Sequence, residues 1–383
     1  MRYEAREPAR IVADQLYEIA YREIIEELRY NLSPSDDVSV PVYPFAYDWR
    51  QPLDTIETAL ADFIQEVIDR TQLQPAYHRA GYQNNPKVNL VGHSMGGLVI
   101  AGYLSAHGHL GLVDKVATIA SPFQGSFEAI IKVTTGTANL GTSPPSSRER
   151  EAARITPSLY HLVPSFESGV EIHSDLPQSL FAPGVWQESI IETITQFYRL
   201  HGIERDRSPE ELADLARELF AGMLQKAHEH RQRIARLDLG DAGLDDDDWL
   251  CLIGTDAETR VRLEVVRGEY GPEFAFNSSD RRNKWQNGEN EVDRRETGDG
   301  TVPFEGAIPP FLPYESLVCL TPDDYGYWEI GDRVINKLGG FHGIMPNMNV
   351  VHRLIVRHFT GRPDTRGNTW GRRAPEVLGA WKP

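Results

Sequence analysis

Lys87-Val88-Asn89-Leu90-Val91-Gly92-His93-Ser94-Met95-Gly96-Gly97-Leu98-Val99-Ile100-Ala101-Gly102-Tyr103-Leu104-Ser105-Ala106 is the stretch on which the fold turns. Lys87 to Val91 is short and mostly apolar, Leu98 to Ala106 has helical character, and a glycine-rich turn carrying one serine joins them. Strand, tight turn and helix in that order put Ser94 at the tip of the turn, in a strained backbone conformation. Glycines at 92 and 96 let the neighbouring backbone pack there without side-chain clashes.

Upstream, Val12, Leu16, Ile19, Ile24, Ile25 and Leu28 recur near helical spacing over Ile11 to Leu28, and Val38 to Tyr47 reads as a strand. Asp54 followed three positions later by Glu57 has the form of a capping box, with Ile56, Leu60, Phe63, Ile64, Val67 and Ile68 as the apolar face behind it. Downstream, Val116 to Ala120 is the next strand, and alternating helix and strand imply a mostly parallel central sheet with helices on both faces. After Ser121-Pro122 the pattern loses its strands, turns polar over Gly141 to Arg150 and becomes helical over Ser208 to Leu237. In that helix Ser208 caps, Pro209 fills the first turn, and Leu212, Leu215, Leu219, Phe220, Met223 and Leu224 form a stripe. Strand signals resume at Trp249 to Ile253 and Ser316 to Leu320, and a final helix runs around Asn347 to His358. Three parts are expected: residues 1–122 and 249–383 forming the core, and 123–248 a large helical cap inserted before the late strands.

The chain has 383 residues, 40% of them hydrophobic and 25% charged, which is ordinary globular usage and leaves room for one large domain with an insertion. A formal net charge of −17 excludes nucleic acid as the main partner and disfavours purely electrostatic docking on anionic membranes. An acyl ester or phospholipid remains compatible as substrate, with transient contact at a lipid surface, because apolar area rather than net charge recruits lipids. Cys251 and Cys319 lie in separate apolar runs and read as buried free thiols. No charged-then-apolar leader follows Met1 and no apolar run nears the ~18 residues of a spanning helix, so a cytoplasmic protein is expected. Asp245 to Asp248 reads as a solvated loop, and His228 and His230 sit two apart on different helix faces; no metal and no cofactor are assigned.

A serine hydroxyl is a weak nucleophile and needs a neutral imidazole to take its proton and a carboxylate to orient that imidazole. After a strand-borne serine the chain order is acid, then histidine. Gly298-Asp299-Gly300-Thr301-Val302 offers the acid on a tight turn beyond the cap, and Gly339-Gly340-Phe341-His342-Gly343 offers the base before the final helix. His352 and His358 lie inside that helix, His93 is held by the turn itself, and Asp256 is the alternative acid.

With these sites in view, the chain resembles the lecithin:cholesterol acyltransferase family of α/β-hydrolases. Pro44-Phe45-Ala46-Tyr47-Asp48-Trp49-Arg50 is similar to that family's Tyr-Asp-Trp-Arg signature, and Gly92 to Gly97 to its Gly-His-Ser-Met-Gly-Gly elbow. Ser121 to Ser126 is similar to the segment opening the cap, Pro157 to Pro164 to a stretch within it, and Gly298 to Pro303 to the Gly-Asp-Gly-Thr-Val-Pro acid loop. The resemblance implies an α/β-hydrolase fold with Ser94 as nucleophile, Asp299 as acid, His342 as base and the Met95 N–H as an oxyanion donor. Tyr47, Asp48, Trp49 and Arg50 would be structural, Asp48 and Arg50 tying their loop by ion pairing. The cysteines that form disulfides in secreted animal members have no counterparts, which fits a bacterial-type member.

An acyl-enzyme on Ser94 could pass its acyl group to water or to an alcohol, and these motifs leave both open. An esterase on small non-lipid esters, or an inert fold that binds lipid or protein, are the alternatives. Residues ahead of Val38 read as helix, with no apolar strand or glycine-rich loop before them. A central strand and the loop that carries the second oxyanion donor are therefore expected to be missing from the N-terminal side.

Overall fold

Short runs of buried aliphatic residues make the inner strands β2, β4 and β9 of a set that comprises Val88–His93 (β1), Val113–Ile119 (β2), Val170–Ile172 (β3), Trp249–Gly254 (β4), Thr259–Arg260 (β5), Leu263–Gly268 (β6), Gly271–Ala275 (β7), Arg281–Arg282 (β8), Leu317–Leu320 (β9) and Arg372–Arg373 (β10). The helices that matter to the site are Glu18–Leu32 (α1), Leu53–Leu73 (α2), Pro75–Arg79 (α3), Met95–His107 (α4), Phe127–Thr135 (α5), Ser147–Arg154 (α6), Pro157–His161 (α7), Ser189–His201 (α8), Pro209–Ala235 (α9), Phe304–Ala307 (α10), Phe341–Ile344 (α11) and Asn349–Thr360 (α12). The computed structural model describes residues 15–16, 18–33, 35, 38–79, 81–136, 146–166, 168–204, 206–277, 281–282, 294–326, 329, 340–363, 365 and 372–373. Residues 11–14 and 17 of the first expected helix, 141–145 of the polar stretch, and Gly339 lie outside them.

The central sheet has the order β1-β2-β4-β9-β10; β1, β2, β4 and β9 run parallel and β10 is antiparallel to β9. Alternate residues feed opposite faces, as the two-residue strand period demands. Val116, Cys251 and Ile253 join Leu53, Ile56, Leu60 and Ile64 of α2 and Leu98 and Val99 of α4 on one side. Ala117, Ile119, Leu252 and Leu320 join Ile24 and Leu28 of α1 and Val350, Val351 and Ile355 of α12 on the other. The expected sandwich of a mostly parallel sheet between helices is what forms. Among the described residues β1, the strand that leads into Ser94, lies at one end of the sheet order. Cys251 and Cys319 are buried thiols that form no disulfide with each other.

A second apolar cluster is built from Phe127 and Ile130 of α5, Tyr160 of α7, Ile190 and Ile194 of α8 and Phe220 and Leu224 of α9. It also takes in Leu263 and Val265 of β6. The region expected to be without strands contains β3, which pairs in parallel with β6, itself antiparallel to β7. Residues beyond Asp248 thus share the core of the helical segment. The α9 stripe is Leu212, Ala216, Phe220, Met223, Leu224 and Ala227. Leu219, placed on it from the sequence, is exposed, because the true helical repeat carries the buried face past it. Ser208 and Glu211 form the reciprocal capping box that starts this helix. No helix among the described residues is long and apolar enough to cross a membrane.

Two expectations fail for physical reasons. Val38 to Tyr47 does not form a strand: among the described residues its one ladder contact is the isolated bridge between Ser35 and Val38, so no row of hydrogen bonds from a neighbouring strand holds it there. Asp54 and Glu57 do not form a capping box, since α2 begins after Pro52 without a side-chain cap. Glu57 instead turns inward, is 2% exposed, and meets Arg233 Nη2 at 2.6 Å and His230 Nε2 at 2.7 Å on α9. Arg233 also donates to the carbonyl of Gly102 on α4, so the carboxylate clasps α9 to both α2 and α4.

Burial pushes the Glu57 carboxyl up to about 7 against the opposing pull of Arg233, while burial first and then Arg233 lower His230 to about 3 and keep it neutral. The folded chain therefore retains the Glu57 proton at pH values where the unfolded chain, at an ordinary 4.5, has lost it. That contribution is fully present below pH 4.5 and is lost as pH rises through 7. Glu57→Gln cannot titrate, so the stability of the wild type minus that of the variant should fall by about 3 kcal/mol between pH 4.5 and 8 in urea unfolding. A pH-independent difference would refute the assignment.

Candidate active site

Ser94 is the residue between β1 and α4, and it adopts φ 53°, ψ −127°, a conformation L-residues avoid. Its N–H is held by the Ile119 carbonyl at 2.9 Å, one strand over. Gly92 makes the reversal possible, because a Cβ there would come within 2.8 Å of the Gly96 backbone. Met95, the first residue of α4, carries one of the N–H groups that a helix start leaves without an intrahelical partner. That N–H is the donor which the motif predicts for a developing oxyanion.

Asp299 sits on a loop closed by the bridges Ala257↔Gly298 and Gly298↔Pro303 and is 1% exposed. The N–H groups of Thr301 and Val302 donate to Oδ1 at 2.8 and 2.7 Å, which fixes the carboxylate and leaves Oδ2 for another partner. That partner is His342 Nδ1 at 2.7 Å. The other ring nitrogen, Nε2, lies 2.9 Å from Ser94 Oγ. Since the carboxylate accepts, Nδ1 carries the proton, and Nε2 is left to accept from the serine hydroxyl. His342 occupies the single turn of α11 behind Gly340, which has φ 79°; its main-chain N–H donates to the Asp299 carbonyl at 2.9 Å.

Gly254, the last residue of β4, is where these loops meet. A Cβ at that position would stand 2.5 Å from the Asp299 Cβ and 3.1 Å from the Phe341 ring, so the absent side chain is the room that acid and base loops share. Ser126, in the segment that opens the helical region, donates its hydroxyl to the Thr301 carbonyl and ties that segment to the acid loop.

The structure thus brings Ser94, Asp299 and His342 into one hydrogen-bonded line. The other candidates go elsewhere: His352 Nε2 meets the Pro346 carbonyl and His358 Nε2 the Asp248 carbonyl, while the carboxylate that meets His342 is that of Asp299 and not Asp256. Asp48 and Arg50 pair with each other, Nε to Oδ1 at 2.8 Å and Nη2 to Oδ2 at 3.0 Å, and Arg50 holds the carboxyl down at about 2. Tyr47 is partly buried against Phe45, and desolvation pushes its hydroxyl upward. Trp49 is half exposed, with the Lys132 ammonium 5.7 Å from its ring centre. No cluster of three or more His, Cys, Asp or Glu placed to hold a metal ion occurs among the described residues. A cleft of about 420 Å³ between α4 and α9, lined by Gln232, Arg233 and Asp238 among others, does not include Ser94 in its walls.

Sequence reasoning missed a pair of residues, one of which touches this line and the other of which supports the first. His93 and Tyr21 hydrogen-bond to each other at 2.8 Å, and His93 contacts the main chain of His342. His93 was visible as the neighbour of the serine, but it was weighed only as a base. Tyr21 gave no signal, since a tyrosine on an amphipathic helix looks like any other packing residue.

No curated protein matches the chain in sequence. Solved structures do match its fold, among them a chain in the crystal structure of the Tle4–Tli4 complex, at 16% identity and a TM-score of 0.53, covering 82% of this chain and 67% of that one. At that identity the likeness is one of fold, and it agrees with the parallel sheet and flanking helices described above. The family profile of lecithin:cholesterol acyltransferase matches residues 15–200, the stretch that carries α1, the Tyr47 to Arg50 motif, the Ser94 elbow and the opening of the helical segment. Over residues 15–200, a little under half of its 383 residues, the chain is similar to the lecithin:cholesterol acyltransferase family.

Proposed function

We propose that the protein is a serine-dependent lipid acyltransferase or lipid-ester hydrolase working through an acyl-enzyme on Ser94. The observation that carries this reading is the line Ser94 Oγ, His342 Nε2, His342 Nδ1, Asp299 Oδ2, with contacts of 2.9 and 2.7 Å, at the tip of a strained strand-to-helix turn. An alcohol aligned on a neutral imidazole, itself oriented by a buried carboxylate, is the arrangement in which a serine becomes nucleophilic at neutral pH. The family match supports a lipid acyl donor.

In the first half-reaction Ser94 Oγ attacks the ester carbonyl while His342 Nε2 takes its proton, and Asp299 stabilises the imidazolium. The Met95 N–H faces the oxyanion. Collapse of the tetrahedral intermediate expels the leaving alcohol, which receives the proton from His342 and leaves an acyl-serine. A second nucleophile, water for hydrolysis or an alcohol for transfer, attacks the acyl carbonyl as it loses its proton to His342; collapse of this second intermediate breaks the bond to Ser94, returns the proton from His342 to Ser94 Oγ and releases the acid or the new ester. Both outcomes use the same residues, so the walls of the acyl site decide between them. We read the helical segment 123–248 as the cap that supplies those walls; its apolar interior and its tie to the acid loop through Ser126 support that reading.

Ser94→Ala, Asp299→Asn and His342→Ala should each lower turnover of short acyl esters by ~10⁴-fold or more with the circular dichroism spectrum unchanged, because the three act as a unit. Labelling by a fluorophosphonate should be lost in Ser94→Ala. Undiminished labelling of that variant, or near-normal turnover by Asp299→Asn, would sink the assignment. Phospholipid vesicles offered with and without a long-chain alcohol separate hydrolysis from transfer by whether free fatty acid or a new ester accumulates.

Gly254→Ala tests the shared space behind the loops. Its methyl group would have to displace Asp299 or Phe341, and a misplacement near 1 Å costs ~10²-fold in rate, so kcat should fall by about that factor while the wild-type thermal transition shifts little. An unaltered kcat would mean that the loops accommodate the methyl group without moving the reacting groups.

A further inference from the structure

We propose that His93 is a positioning residue, a neutral bridge that carries a hydrogen bond from the Tyr21 hydroxyl on α1 to the main chain of His342 and so holds the base in line with Ser94. The proposal rests on reading Ser94, His342 and Asp299 as the reacting line.

His93 ends β1, directly before the serine. Its Nε2 stands 2.9 Å from the His342 carbonyl oxygen and its Nδ1 2.8 Å from Tyr21 Oη. A carbonyl only accepts, so Nε2 must bear the hydrogen; in the neutral ring Nδ1 then accepts, and the Tyr21 hydroxyl donates. His342 has the opposite tautomer, with Nδ1–H directed at Asp299 and Nε2 open to Ser94. The two rings lie 5.0 Å apart between centroids, tilted by 39°.

This contact supplies what α11 lacks. A single helical turn, Phe341–Ile344, cannot stabilise itself. The His342 main chain is instead pinned on both sides, its N–H by the Asp299 carbonyl and its C=O by His93. The first bond ties the base to the acid loop and the second ties it to the strand that carries the nucleophile, so the distance between base and serine is set by the sheet.

Charge explains why an imidazole suits the position. Burial, reinforced by repulsion from His342, depresses His93 to about 3, and burial raises the Tyr21 hydroxyl so that it stays a donor. The bridge therefore adds no positive charge beside His342 when that ring takes the serine proton. A lysine or arginine could donate to the same carbonyl, but its charge would oppose the imidazolium.

His93→Leu removes both bonds, whereas in His93→Gln the side-chain amide can reach the His342 carbonyl. With loss of alignment worth ~10²-fold, His93→Leu should lower kcat and the fluorophosphonate labelling rate by about that factor at nearly constant KM. His93→Gln should recover to within ~10-fold of wild type, and Tyr21→Phe should lose ~5-fold, with no further loss when combined with His93→Leu. Wild-type kcat in folded His93→Leu, or equal losses in His93→Leu and His93→Gln, would overturn the proposal. If His93→Leu does not fold, Tyr21→Phe decides: a loss in kcat at constant KM supports the bridge and an unchanged kcat rejects it.

A readout independent of turnover is the nitrogen spectrum of histidine-labelled protein. It should show His93 neutral and protonated at Nε2 at pH 5, and a cationic or Nδ1-protonated His93 would reject the bridge. Wild-type protein that labels no faster than Ser94→Ala would defeat the serine reading on its own, and the tautomer of His93 would still decide the contact.

Discussion

Ser94 holds φ 53° and ψ −127° because everything around it leaves no alternative. Such a conformation costs ~1–3 kcal/mol and persists only where the surroundings over-determine it. Here the surroundings are the Ile119 carbonyl taking its N–H, the close backbone approach at Gly92, and α4 packed by Leu98 and Val99 beneath the sheet. Release of that turn would let the hydroxyl swing away from His342, and none of the other contacts at the site would then have a purpose. The parallel sheet, the glycine spacing and the buried face of α4 are all conditions for one reversed peptide geometry.

Strain gathers at the same end of the sheet. Of the four non-glycine residues with positive φ among the described residues, Ser94 and Ala120 directly follow β1 and β2, and Asp256 lies two residues past β4. The carboxyl ends of adjacent parallel strands are where α/β sheets build their sites, because the chain must leave the sheet there and its direction is free to vary. The acid and base loops converge on that end as well, over the bare backbone of Gly254.

How much of this was readable beforehand depends on range. The elbow, the acid turn and the late histidine are local patterns whose chemistry is written in a few consecutive residues, and the structure brings all three together. Helix α9 was readable from Ser208 and Glu211 because a capping box is local too. Glu57 deceived the same logic: its spacing from Asp54 suits a cap, yet partners on α9, far along the chain, draw it into the core. The Val38 to Tyr47 segment has strand character but lacks a strand partner among the described residues, and β3 was too short to announce itself. His93 and Tyr21 were unreadable as a pair because the link between them spans 72 positions and depends on how α1 lies across the sheet.

The clasp at Glu57 also bears on the order in which the chain is made. Its carboxylate is synthesised 176 positions before Arg233 and 173 before His230. As the chain emerges from the ribosome, α2 and α4 are complete while the partners of that carboxylate are still unmade, and burying an acid without them is costly. The nucleophile-bearing half therefore has reason to stay loosely closed until α9 has been translated. Nascent chains that end before α9 would expose the α2–α4 seam to chaperones and proteases, and the seam would shut only when the far end of the helical segment arrives.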